Sequence, residues 1–193
     1  MAHKQFQTIT VVDVEATCWE GAPPEGQKND IIEIGYCFVD VPTLTISAPE
    51  SILVKPERST ISPFCTQLTT LTQEQVQQKG WSFASACAWL RDGYHTDKYP
   101  WASFGEHDYT LVLNQCADDE KALYPFHFSY HIDVRLLAGI SFALSQQPGL
   151  KRTLELLDLS FEGTPHRAGD DAWNTAQCLT ILLARMRGIS EQM

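Results

Sequence analysis

The chain is 193 residues long, 44% hydrophobic and 20% charged, the balance of one soluble domain with a real core. Its 14 Lys and Arg are outnumbered by 24 Asp and Glu, for a formal charge of −10, which excludes the broad basic field of a protein that grips long duplex nucleic acid. No apolar run is long enough to span a membrane, Met1-Ala2-His3-Lys4-Gln5 lacks an apolar leader, and the six cysteines stand singly, a pattern that predicts a reduced, cytoplasmic protein.

Residues 8–15 read Thr-Ile-Thr-Val-Val-Asp-Val-Glu, a β-branched run typical of a buried strand. A Gly/Pro-rich loop, Gly21–Asp30, leads to a second run, Ile31–Asp40, and the pair predicts an antiparallel hairpin with the loop as an insertion. A third strand, Ser51–Lys55, stops at Pro56. Thr72 and Gln75 have the spacing of a capping box for a helix that ends at Gly80. Ser82 caps the next, Phe83–Asp92, with Phe83, Ala86, Cys87 and Leu90 inward. Tyr99–Phe104 reads as a short strand broken by Gly105, after which Asp108 opens a helix through Val112 and Cys116. His127–Asp133 is a further strand and Val134–Leu144 a further helix. Phe161–Pro165 is loop, His166 follows it, and a last helix runs from about Asp170 to Arg187 with Ala172, Ala176, Leu179 and Leu183 on one side.

Five side chains carry the chemistry. Alternation along the first strand puts Asp13 and Glu15 on one face. Two carboxylates side by side at the end of an apolar strand repel and are costly to desolvate, and a cation relieves both penalties. An all-oxygen donor set suits hard ions such as Mg²⁺ or Mn²⁺; Cys18 is close, but no second thiol is spaced for zinc. Asp108 lies at a strand-to-helix turn, where α/β sheets place ligand-binding groups, although locally it also reads as a helix cap. Asp171 sits in the first turn of the last helix, where the helix dipole favours a carboxylate. His166, flanked by Gly163 and Gly169, is the natural proton acceptor near neutral pH. Taken singly, an Asp-x-Glu strand end or a loop His is ordinarily just solvated; the combination is what argues for a site.

The order Asp13-x-Glu15, Asp108, His166-x4-Asp171 resembles the DEDDh exonucleases. Asp13-Val-Glu-Ala-Thr-Cys18, Asn29-Asp-Ile-Ile-Glu-Ile-Gly35, Leu53-Val-Lys-Pro56 and Phe64-Cys-Thr-Gln-Leu-Thr-Thr-Leu-Thr72 are similar to the branch that contains the histone-mRNA 3′-end and small-RNA-trimming exonucleases and their bacterial relatives. The resemblance covers about residues 7–187, the core of a single exonuclease domain over 1–193. It implies an α/β fold with a ribonuclease-H-like mixed sheet flanked by helices: three leading strands, then alternating helices and strands. It also implies hydrolysis from the 3′ end to nucleoside 5′-monophosphates, with two Mg²⁺ or Mn²⁺ ions. On this reading Asp13, Glu15 and Asp171 hold the first ion, and Asp13 bridges to the second with Asp108 contributing. His166 is the general base, and Glu15 belongs to the catalytic centre. Ala16, Thr17, Leu68 and Thr69 seat the terminal nucleotide. The partners implied are nucleic acid 3′ ends, RNA favoured over DNA. Two positions depart from the family: Gly169 replaces a bulky aliphatic and is expected to loosen the His166 loop, and Thr70 replaces a glycine and is expected to alter the terminal-sugar pocket.

The acidity leaves two other readings open, a phosphodiesterase for small substrates and a non-catalytic RNA-binding protein on the same fold. Trp19 is placed either to stack on a base or to pack. His127, Ser129, His131 and Asp133 alternate along one strand; edge polarity explains them, with Phe128, Tyr130 and Ile132 expected to form the core face. His107 is expected to face solvent.

Overall fold

The computed structural model describes residues 5–189. Its centre is a long hairpin: β1 (Thr8–Ala16) pairs antiparallel with β2 (Ile31–Asp40), in a register that sets Asp13 opposite Gly35 and Glu15 opposite Glu33. β3 (Thr45–Ile46) and β4 (Glu50–Leu53) both add to the outer side of β2. On the other side of β1 the sheet continues in parallel through β5 (Trp101–Ser103) and β6 (His131–Asp133), giving the order β3-β2-β1-β5-β6. A mixed sheet of this kind, antiparallel first and parallel later, is the architecture expected from the sequence.

Val11, Val12 and Val14 are buried because helices cover both faces of β1. One face carries Ile9 and Val11 and packs with Ala138 of α5 (Val134–Ser141), Leu154 of α6 (Leu150–Leu156) and Ala176 and Leu179 of α7 (Ala168–Met186). The other carries Val12 and Val14 and packs on Phe83 and Ala86 of α3 (Phe83–Ala88) and Val112 of α4 (His107–Asp118). A smaller cluster of Cys65, Leu71 and Val76 joins α1 (Pro63–Thr69) and α2 (Gln73–Lys79) to Ile32. By alternation Asp13 and Glu15 share the face of Ile9 and Val11, so they look toward α7.

Several elements differ from the expected ones. The helix expected through Asp92 ends at Ala88 and passes into a π-helical turn, Trp89–Gly93. The helix expected to open at Asp108 opens at His107, so Asp108 is inside the first turn and is not the cap. The strand expected over His127–Asp133 is only its last three residues, since β6 pairs with a β5 equally short. Phe128 and Tyr130 therefore do not form a core face; both are exposed. Their neighbour His131 turns inward, bonded at 2.8 Å to Ser103 Oγ and with its ring tilted against Trp101. α5 stops at Ser141, before an Ala143 held at positive φ. All six cysteines are free, and Cys37, Cys65, Cys87 and Cys178 are buried. Among the described residues no helix is long and apolar enough to cross a membrane.

Candidate active site

The first turn of α7 rests on the middle of the hairpin. A Cβ at Gly35 would come 1.9 Å from the carbonyl carbon of Ala168, so only glycine lets α7 approach β2 this closely. That contact brings Asp171 over β1: one carboxylate oxygen from each of Asp13, Glu15 and Asp171 lies within 4.8 Å of the others. Asp108 arrives from the opposite side on α4, and its Oδ1 accepts the Val14 N–H at 3.2 Å. It lines the same cleft without joining the three-oxygen group. His166 precedes α7 in the left-handed region at φ 62°. Its ring is half exposed, with Nδ1 3.9 Å from Glu15 Oε1.

The electrostatics are those of acids forced together. Burial raises the Asp13 carboxyl well above its usual range, and the charges of Asp108, Asp171, Glu15 and Glu33 add to the rise. Burial and the charge of Asp171 push Glu15 up to about 8. Asp108 reaches about 7, mainly by burial, against the opposing pull of the Val14 N–H and of Arg135. Asp171 reaches about 6 by burial, opposed by the neighbouring His166. Three carboxylates within reach of one ion, all-oxygen and short of positive charge, fit a hard divalent cation.

What fixes α7 and the His166 turn is a residue that local sequence pattern does not single out. Glu33 is fully buried on β2. Its Oε2 accepts Arg167 Nε at 3.1 Å and the Ala168 N–H at 3.0 Å, and its Oε1 accepts Arg167 Nη2 at 2.8 Å. Arg167 in turn donates its backbone N–H to Asp171 Oδ2 at 3.1 Å. The two-pronged pairing thus ties together the residue after the histidine, the start of α7 and the strand opposite Glu15. Gly169 is buried within α7, past the turn that carries His166, and a Cβ there would come 2.6 Å from the Oγ of the exposed Ser51, whose side chain would have to turn away to admit a larger residue. Thr70 is exposed and lies outside the cleft wall; it holds φ 64° at the end of α1, the left-handed cap position that favours glycine.

The cleft has a volume of about 390 Å³. Of the residues expected to seat a terminal nucleotide, Ala16, Thr17 and Leu68 line it. Thr69 is buried with its hydroxyl donating to Cys65 O and accepting the Leu71 N–H, and Trp19 is half-buried; neither lines the cleft. Leu68 is exposed and is carried into the wall by α1, which starts at a Ser62 cap followed by Pro63. His107 is exposed as expected, but at the cleft edge. Phe104, Arg135 and Leu150 line the cleft as well, and none of them is marked by a motif.

A family model described as Exonuclease (RNase_T) matches residues 10–179. The human 3′-5′ exoribonuclease 1 is 30% identical over 190 residues, covering 94% of this chain and 54% of that protein. The Drosophila melanogaster 3′-5′ exonuclease Snipper is 27% identical over 194 residues, covering 90% of this chain and 68% of that protein. This chain thus spans about half the length of its human relative. The solved nuclease domain of 3′hExo, a DEDDh family member bound to rAMP, superposes with a TM-score of 0.81 at 28% identity over 100% of both chains. Escherichia coli exonuclease I shares the fold, with a TM-score of 0.72 at 14% identity over 95% of this chain and 42% of that one. With its acidic cluster in place and the family model spanning most of its length, the chain belongs to the RNase T family of exonucleases.

Proposed function

We propose that this chain is a divalent-metal-dependent 3′–5′ exonuclease that releases nucleoside 5′-monophosphates from the 3′ end of RNA or single-stranded nucleic acid. The observation that carries the reading is the convergence of Asp13, Glu15 and Asp171, beside Asp108, with His166 3.9 Å from Glu15. The relatives named exoribonucleases support RNA rather than DNA as the substrate of this chain. The fold is one exonuclease domain, its core about residues 7–187, working in the cytoplasm.

Asp13, Glu15 and Asp171 would hold one Mg²⁺ or Mn²⁺ ion, and Asp108, which lines the same cleft, would help to hold a second. Such ions, when bound, neutralise charge on the phosphodiester and lower the pKa of the attacking water. The half-exposed ring of His166 accepts that water's proton as general base. Leu68, Ala16 and Thr17 form the floor and wall against which the 3′-terminal sugar and base rest. In-line attack breaks the bond to the penultimate 3′ oxygen, so the product is a 5′-monophosphate. A cleft this acidic engages a short stretch of strand and lets it go, which makes the action distributive.

The test is end-labelled RNA and DNA oligomers with Mn²⁺ or Mg²⁺: a ladder shortening from the 3′ end, absent in chelator, is expected. Cleavage of a circular substrate as fast as a linear one would refute it. The net charge of −10 favours one other reading, a phosphodiesterase for small esters. Efficient turnover of such esters with no shortening of oligonucleotides would establish that reading instead.

A further inference from the structure

Arg135 stands apart from the acids around it. It is the second residue of α5 and lines two cavities, the active-site cleft and an adjoining one of about 430 Å³ bounded by Gly105, Glu106, His107 and Gln147. His107 also lines both, so the two residues mark the junction. The guanidinium carbon lies 5.4 Å from the centre of the Phe104 ring, and a Cβ at Gly105 would come 3.1 Å from it. The aromatic face and the bare glycine hold the planar group in place. Arg58, Arg91, Arg152 and Arg167 each reach a carboxylate. Among the described residues Arg135 makes no such pair, and its Nε–H is buried without an acceptor. A buried donor left unmatched is costly, and it persists where a ligand supplies the acceptor.

We propose that Arg135 binds a backbone phosphate of the substrate strand on the 5′ side of the scissile bond, where the cleft opens into the adjoining cavity. This rests on the exonuclease reading and extends it to the path of the strand. A strand whose last nucleotide lies against Leu68 and Ala16 and whose scissile phosphate lies at Asp13 leaves past His107 and Arg135. A guanidinium fork meets two phosphate oxygens at once, a geometry that lysine does not reproduce. Among the described residues that line the cleft it is also the only Arg or Lys, set against the four carboxylates of Asp13, Glu15, Asp108 and Asp171. One phosphate contact explains how so acidic a chain holds a polyanion without a basic face.

The test compares a trinucleotide with thymidine 5′-p-nitrophenyl phosphate, an ester with no phosphate beyond the scissile one. For Arg135→Gln, kcat/KM on the trinucleotide should fall about 10–100-fold, mostly in KM, the loss of one bidentate charge-assisted contact. The ester should lose much less, so the ratio of the two drops at least about tenfold. Arg135→Lys should recover part of the ratio, and the slope of log kcat/KM against log salt should fall by about 1 in Arg135→Gln. The ratio and KM do not depend on how much of a variant folds. Equal losses on both substrates would place Arg135 in the support of Asp108 and overturn the proposal, as would an unchanged ratio. Wild-type protein that turns over the ester but never shortens an oligonucleotide would overturn the exonuclease reading, and Arg135 with it; trimming by wild type with an unchanged variant ratio overturns Arg135 alone.

Discussion

Replacing Glu33 with glutamine tests whether the Glu33–Arg167 pair sets the catalytic geometry. The substitution keeps shape and volume, so no cavity forms. It removes the anion that accepts Arg167 Nε, Arg167 Nη2 and the Ala168 N–H. An amide oxygen in the place of Oε2 still takes Arg167 Nε and the Ala168 N–H, but the amide nitrogen then faces Arg167 Nη2, another donor. Hydrogen bonds to charged groups contribute about 1.5–3 kcal/mol each, and leaving a buried charge without its partner costs more. Here the Arg167 side chain is 35% exposed, so it can turn to water and recover part of the loss. A net destabilisation of about 1–3 kcal/mol is expected, which for a chain of this size lowers Tm by roughly 3–10 °C.

The kinetic effect should be specific. Arg167 follows His166 directly and donates to Asp171, so freeing it loosens both the base and a ligand. We expect kcat to fall by about tenfold with little change in KM, since an ångström of misplacement carries a cost of that order or more. Glu33 also helps to raise Glu15 and Asp13, so the pH at which divalent cations bind should move down in Glu33→Gln. Thermal melts with and without Mg²⁺, kcat and KM on an RNA oligomer, and cation titrations across pH measure all three. Arg167→Gln should mimic the variant, and the double substitution should cost less than the sum. A Glu33→Gln protein with unchanged kcat, or fully additive double-mutant energies, would refute the clamp.

Asp13→Ala and Asp171→Ala should each remove nearly all exonuclease activity and abolish the cation-induced rise in Tm, while melting in chelator no lower than wild type, because each removes one of the mutually repelling acids. The pH dependence of stability follows from the raised carboxyls: Glu15 near 8, Asp108 near 7 and Asp171 near 6 bind protons in the folded state that the unfolded chain has already released. Metal-free stability should therefore fall as pH rises from about 4 to about 8, and saturating Mg²⁺ should flatten that slope; a chelated protein that melts higher at pH 8 than at pH 5 contradicts the assignment. His166→Ala should lower kcat by roughly 10²–10⁴-fold while oligonucleotide affinity in Ca²⁺ changes little; wild-type kcat in that variant would make the histidine a bystander.

The hairpin was legible nearly to the residue. Val11, Val12 and Val14 on β1 and Ile31, Ile32 and Ile34 on β2 are buried on both faces, so the β-branched runs have no helical competitor and end where the burial ends. The capping box at Thr72 was legible for a local reason: both of its hydrogen bonds close within four residues. α1 was missed although its signal was present, a Ser62 cap followed by Pro63. The strand placed over His127–Asp133 failed because alternation predicts which face a residue takes only where a partner strand is long enough to enforce it. Here β5 supplies three residues, and the segment before them turns outward.

The acids of the site were readable because a strand end or a helix start explains each carboxylate singly but not their combination with one another and with His166, so the combination demands another cause. The residues that position them were not, because each has an ordinary local explanation. Glu33 sits among Ile31, Ile32, Ile34 and Gly35 and looks like the polar side of an alternating strand; its burial is decided by Arg167, 134 positions away. Gly35 looks like a weak point in a strand until α7 lies against it. Arg135 looks like a solvated helix residue until Phe104 and Gly105 are seen beneath it. In each case the contact that gives the residue its role is made only when α5 and α7 close on the sheet, after elements far apart in the chain have met. Chemistry concentrated in a few charged side chains leaves a mark on the sequence, whereas the precision with which the fold holds them depends on long-range pairs whose two halves are each unremarkable alone.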